Sequence, residues 1–178
     1  MKVELDVPQS IAEPRRWVQH EQLLAMVLRP GSIDVGLHRA EMTRLTYDAG
    51  EMFLCHRHIE KWIRTDDLHY LSIALSDAAL TAACNGTGGE VELPSVANLV
   101  DPRLRALASA VNAERIAGFP SGRLFLDSVE QAVAVALVNG YAVRRPSPKI
   151  YRGGLTPARL RKVTELVHAK VDDDLSLE

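Results

Sequence analysis

Residues 42–55 read MTRLTYDAGEMFLC, and this segment indicates the architecture of the N-terminal half of the chain. Its outer parts, 42–47 and 51–55, have the length and apolar content of short β-strands. Asp48-Ala49-Gly50 between them is typical of a turn, because Asp and Gly accept backbone angles that most residues avoid. The segment therefore predicts two strands joined by a hairpin loop.

Similar strand patterns surround this one. They have the length of a strand and are separated by turn-forming residues, and they occupy residues 2–7, 23–28, 61–64 and 68–75. Thr65-Asp66-Asp67 separates the last two in the same way as the first turn. Short strands at such close spacing predict a β-sandwich or a small barrel over residues 1–75. A helix around residues 13–24 is the one exception that the pattern allows.

From residue 76 onward the spacing of apolar residues becomes helical. A short helix is predicted over 77–83. Asp101 followed by Pro102 marks the start of a long one, because Asp caps a helix and Pro suits its first position. A second long helix is predicted over 122–138. The fold class is therefore α+β, with residues 1–75 mainly β and residues 76–143 mainly α.

Composition excludes several classes of protein. Apolar residues make up 47% and charged residues 25% of the 178 residues, which argues against a disordered chain. The longest unbroken apolar run, 132–138, is far shorter than the roughly 20 residues of a membrane-spanning helix. The formal net charge of −2 does not favour nucleic-acid binding by the chain as a whole. The two cysteines are expected to be free thiols in a reducing cytoplasm.

The C-terminal part has its own pattern. Residues 144–155 are rich in Pro, Gly and basic residues and indicate a linker. Thr156 and Pro157 then predict the start of a third helix. Ser176-Leu177-Glu178 has the form of a further helix start, and this favours a larger protein that continues beyond residue 178.

The residues from Gly153 to Val163, GGLTPARLRKV, and from Asp172 to Glu178, DDDLSLE, resemble the start of the DNA-binding domain of AraC/XylS-type transcription regulators. The helical segments beginning at Asp101 and Gly122 are similar to the helical end of that family's regulatory domain. Residues 47–52 resemble a strand-turn-strand step of its cupin-like barrel.

The resemblance implies a cytoplasmic transcription regulator and not an enzyme, with no cofactor. Residues 1–143 would form a cupin-like effector-sensing and dimerisation domain, and residues 156–178 would begin a helix-turn-helix DNA-binding domain. The DNA-reading helices would lie beyond Glu178, so DNA would be bound only through the part that this sequence lacks. A small-molecule effector and a homodimer are the expected partners.

The best chemical candidate is the run from Cys55 to Glu60, CHRHIE. Gly50, His56 and His58 have the spacing that begins the metal motif of cupin enzymes, and on a strand His56, His58 and Glu60 would share one face. A metal-dependent cupin enzyme, a dioxygenase or an isomerase, is therefore the alternative function. No second motif supplies a further His, so no metal ligand is assigned.

Three sets of side chains complete the predictions. The walls of a ligand pocket are assigned to His56, His58, Trp62 and Tyr70, because polar-tipped aromatic residues often line pockets. Core packing is the alternative for Trp62 and Tyr70, and surface positions are the alternative for the two histidines. The long helix over 122–138 is apolar nearly all round, so a dimer interface or the chain's own core is predicted for Leu126, Val129, Val133 and Leu137. Phosphate contacts or a solvated helix face are predicted for Arg159, Arg161 and Lys162.

Overall fold

The computed structural model describes residues 2–6, 13–84, 91–144, 161, 162 and 164. The chain divides into two compact units, Met1–Pro146 and Ser147–Glu178. In the second unit the described residues 161, 162 and 164 are helical. No helix among the described residues is long and apolar enough to cross a membrane.

The first unit contains strands followed by helices. The elements are β1 (Lys2–Asp6), β2 (Arg15–Val18), β3 (Gln22–Arg29), β4 (Gly31–His38), β5 (Glu41–Tyr47), β6 (Met52–Cys55), β7 (Glu60–Asp66), β8 (His69–Leu75), α1 (Asp77–Cys84), β9 (Val91–Glu92), α2 (Pro102–Ile116), α3 (Gly122–Tyr141) and β10 (Val143–Arg144).

Eight of the strands form two antiparallel four-stranded sheets. The inner sheet has the order β1-β8-β3-β6, and the outer sheet has the order β2-β7-β4-β5. A short ladder joins β9 to β10. The α+β class is therefore confirmed, and the described strands form separate sheets rather than a closed barrel.

The hairpin predicted at Asp48-Ala49-Gly50 is wrong. β5 pairs with β4 in the outer sheet, whereas β6 pairs with β3 in the inner sheet. The turn therefore carries the chain from one sheet to the other, as the turn at Asp67 does between β7 and β8. Turn residues show where a chain reverses, but they do not show which strand becomes the neighbour.

Two more strands differ from the prediction. Residues 13–24 do not form a helix, because they contain β2 and the start of β3. β4 was not predicted, although Ile33, Val35 and Leu37 alternate with other residues along it. Its two glycines, at positions 31 and 36, obscured the strand pattern.

Gly31 lies where the chain passes from β3 into β4. A Cβ atom at this position would lie 2.8 Å from the carbonyl oxygen of Asp67 and 2.8 Å from the Cα atom of Leu68. The chain crosses between the sheets at both places, so the two crossings pack backbone against backbone. Only glycine allows this approach without a shift of the chain.

The inner sheet separates two apolar layers. One layer lies between it and the helices and includes Leu24, Leu71, Leu104 and Leu137. The other lies between the two sheets and includes Val27, Tyr47, Phe53 and Leu68. The inner sheet is thus covered on both faces, which explains the run of six buried residues that opens β3.

The start of α2 agrees with the sequence prediction. Asp101 is the N-cap, and its Oδ1 accepts hydrogen bonds from the backbone N–H groups of Arg103 (2.8 Å) and Leu104 (3.3 Å). Pro102 follows at the first helical position. The hydrogen bond from the Arg103 side chain, assisted by those from the backbone, holds the pKa of Asp101 below its usual value against the opposing effect of burial.

We expect Asp101→Ala to lower the free energy of unfolding by about 1 kcal/mol, because the first turn of α2 loses its cap. Asp101→Asn is the matched control, since asparagine also caps helices. Because the pKa is lowered in the folded chain, the contribution of the carboxylate is full above the pKa of an unfolded aspartate and is lost as the pH falls through the folded value. Urea denaturation at neutral and acidic pH measures both effects, and an unchanged stability of Asp101→Ala at neutral pH would contradict this role.

Candidate ligand-binding site

A cavity of about 330 Å³ lies between the two sheets. It is lined from the outer sheet, from β6, from the turn that follows β6 and from residues 95–97. The lining residues are Ile33, Val35, Gly36, Leu37, Leu45, Tyr47, Phe53, Leu54, Cys55, Ile59, Lys61, Ser95, Val96 and Ala97. The volume falls at the small end of the range for ligand pockets, and most of the wall is apolar.

Residues 95–97 cover the free edge of the inner sheet beside the cavity. The backbone N–H groups of Leu54 and Val96 each donate to the carbonyl oxygen of the other residue, at 2.9 Å. The backbone N–H of His56 donates to the Ser95 hydroxyl at 3.0 Å. These bonds fix one wall of the cavity to β6.

Four polar side chains interrupt the apolar lining, those of Tyr47, Cys55, Lys61 and Ser95. Lys61 Nζ lies 3.3 Å from Cys55 Sγ and donates a hydrogen bond to it. Cys55 is a buried free thiol, whereas Cys84 is half-buried on α1. The Cys55–Lys61 pair therefore forms a polar centre in an otherwise apolar wall.

Tyr47 connects this polar centre with the aromatic packing between the sheets. Its ring centroid lies 5.4 Å from that of Phe53, which in turn lies 5.4 Å from that of Tyr70 in an edge-to-face contact. Burial, and then the nearby charges of Cys55 and Glu51, raise the pKa of Tyr47 to about 12. The phenol therefore keeps its proton, and can donate it in a hydrogen bond, throughout the physiological pH range.

The structure places the four predicted pocket residues differently. Tyr70 packs beside the cavity on Phe53, but it does not line it. Trp62 lies opposite Gly36 in the outer sheet and stacks under the guanidinium of Arg39, 5.7 Å from the ring centre. His58 is exposed in the turn after β6 and has a positive φ of 61°. None of the four belongs to the cavity wall.

The shared face predicted for His56, His58 and Glu60 does not form. His56 and His58 lie in the turn between β6 and β7, where the alternation of a strand no longer applies. His56 Nε2 contacts Glu92 Oε1 at 3.1 Å, and its buried Nδ1 has no hydrogen-bond partner among the described residues. Across residues 2–6, 13–84 and 91–144, no three His, Cys, Asp or Glu side chains are grouped so that they could hold a metal ion.

The helix residues predicted for a dimer interface belong largely to the chain's own core. Val129, Val133 and Leu137 are buried against the inner sheet and α2, and Leu126 is half-buried. The periodicity of α3 showed an apolar stripe but not what covers it. The exposed large apolar residues of α3 are instead Leu124 and Val135.

Of the three basic residues predicted to contact phosphate, Arg161 and Lys162 are exposed and helical. Arg159 lies outside the described residues, as does most of the predicted third helix.

The sequence pattern does not single out Lys61 or Ser95, and it singles out Cys55 only as the first residue of the CHRHIE run. Cys55 and Lys61 come from different sheets, and Ser95 comes from a segment without regular structure. The signal for Lys61 in the sequence is the alternation along β7. Because Lys61 and Ile63 are two residues apart on a strand, their side chains point to the same face of the sheet.

No protein-family model and no curated protein matches this sequence. Solved structures with some similarity include the AraC-like transcriptional activator CuxR, with a TM-score of 0.46 and 13% identity over 98% of this chain and 72% of that chain. ToxT from Vibrio cholerae has a TM-score of 0.42 and 13% identity over 99% of this chain and 68% of that chain.

A prediction follows from the environment of Tyr47. Since its pKa is raised from 10.0 to about 12, the tyrosine stabilises the fold fully below the pKa of unfolded tyrosine, and this contribution is lost as the pH rises towards about 12. Tyr47→Phe is expected to lose less stability than the wild type over that alkaline range. Urea denaturation at increasing pH, with phenolate absorbance recorded in parallel, measures this difference, and superimposable alkaline profiles would contradict it.

Proposed function

We propose that this chain is the effector-sensing regulatory part of a cytoplasmic AraC-type transcription regulator and that it is not an enzyme. The observation that carries the proposal is the cavity between the sheets, whose wall at residues 95–97 belongs to the segment that also pairs with the last strand of the unit. A ligand in this cavity would contact that segment directly.

The cavity has the properties of a small-molecule site. It is concave, mostly apolar, and holds a few polar groups that could orient a ligand. It lies beside β5 and β6, the edge strands of the two sheets, where residues 95–97 are joined to β6 by the Leu54–Val96 pair of backbone hydrogen bonds. These features support binding of one small molecule.

The segment from Val91 to Asp101 links the cavity to the end of the unit. Its residues 95–97 line the cavity, and Leu99 donates its backbone N–H to the carbonyl oxygen of Met52 at 2.8 Å. Its first residues form β9, where Glu92 pairs with Val143 of β10. The chain continues from β10 into the predicted linker. Ligand binding would thus change the relative populations of conformations that differ in how the linker positions the following domain.

The resemblance of residues 153–178 to the start of an AraC-type DNA-binding domain supports the proposal that the following domain binds DNA. The exposed Arg161 and Lys162 are compatible with phosphate contacts beside it. Homodimer formation remains part of the proposal, with the exposed Leu124 and Val135 of α3 available for the contact in place of the buried residues.

The gene itself tests the regulatory identity. We expect the reading frame to continue beyond the codon for Glu178 and to encode two helix-turn-helix units. A stop codon directly after that codon, or a continuation without such units, would overturn the proposal.

The cavity is tested with the neutral fluorescent probe N-phenyl-1-naphthylamine. We expect saturable binding of one probe molecule per chain, because the probe's fluorescence rises in an apolar cavity. Leu45→Trp should abolish this binding by filling the cavity, whereas Thr46→Trp, at the next and exposed position of β5, should retain it. Fluorescence titration measures both, and equal probe binding by Leu45→Trp and the wild type would contradict a site between the sheets.

A further inference from the structure

Among the described residues that line the cavity, Lys61 is the only one with a charged side chain. Its neighbours in the wall are mainly aliphatic and aromatic, and the remaining polar ones, Tyr47, Cys55 and Ser95, are uncharged in their ordinary forms. The cavity therefore combines a large apolar surface with a single positive charge.

This charge has no carboxylate partner among the described residues. The contact of Lys61 Nζ is with Cys55 Sγ, at 3.3 Å, and a thiol is a weak acceptor. Two other basic side chains of the outer sheet are paired with acids, since Arg64 contacts Asp34 at 2.5 Å and Arg44 contacts Asp66 at 3.2 Å. The half-buried Lys61 therefore offers the cavity a positive charge that an anionic ligand could pair with.

We infer that the cavity binds a small apolar molecule that carries one carboxylate, and that Lys61 pairs with this carboxylate. The inference rests on the proposed function, because it names the ligand class of the same cavity. Tyr47 lines the cavity as well, and its protonated phenol can donate a second hydrogen bond to an anion.

The balance of charge and volume limits the ligand further. One ammonium neutralises one negative charge, and a second charge would remain unpaired against an apolar wall. A cavity of about 330 Å³ holds a compact aliphatic or aromatic body, no larger than the dye, rather than a long chain. The ligand class is therefore a small monocarboxylic acid.

The experiment compares two probes that differ only in their head group, 4-phenylbutanoate and 4-phenylbutan-1-ol. Each displaces N-phenyl-1-naphthylamine from the wild-type chain. We expect the acid to bind about tenfold or more tightly than the alcohol, because its carboxylate forms a charged hydrogen bond with Lys61.

Two neutral variants test the residue, Lys61→Met and Lys61→Gln. In both, the preference for the acid should disappear while the alcohol still binds, and the bound alcohol reports an intact cavity. Lys2→Met is the matched control, because it makes the same change at an exposed lysine that pairs with Glu4 at 2.9 Å. It should keep the wild-type preference.

Equal affinities of acid and alcohol for the wild type would overturn the inference and leave the cavity as a site for neutral ligands. A preference for the acid that persists in both Lys61 variants would overturn the role of Lys61. If neither probe nor the fluorescent dye binds the wild type, the ligand-sensing proposal fails together with the inference.

Discussion

The structure depends on the burial of the inner sheet on both of its faces. Because α2 and α3 cover one face and the outer sheet covers the other, the strands of this sheet cannot alternate apolar and polar residues. β3 shows the result, with the buried residues Gln22 to Val27 in sequence. The one polar member of this run, Gln22, is retained because its side-chain amide donates to the carbonyl oxygen of Cys55 at 2.9 Å.

The same arrangement explains where the cavity lies. β5 and β6 are edge strands of different sheets, and the turn between them allows the sheets to separate at that edge. Residues 95–97 cover the opening with a single pair of backbone hydrogen bonds to Leu54 rather than with a complete strand. The site is thus a consequence of incomplete sheet packing, and its polar groups come from residues that project into the remaining space.

Local chemistry determined how much could be predicted. The start of α2 was predicted to the residue, because an N-cap and a following proline act within one turn of helix. The strand at Met52 was also predicted, but its pairing with β3 was not, since strand pairing depends on partners far along the chain. Lys61 was missed for the same reason, because its surroundings come from Cys55, Ser95 and the outer sheet together. The chemistry of their side chains predicted that His56 and Trp62 line a ligand pocket, but their positions in the structure do not support this role.

The contact between Leu54 and Val96 has a consequence for solubility as well as for the cavity. An uncovered edge strand offers free backbone donors and acceptors to any other extended chain. β6 is short, and all four of its residues are buried. Residues 95–97 cover that edge. If these residues detached from β6, they would expose an unpaired strand edge that could hydrogen-bond to another chain. The protein can therefore move this segment only over small distances.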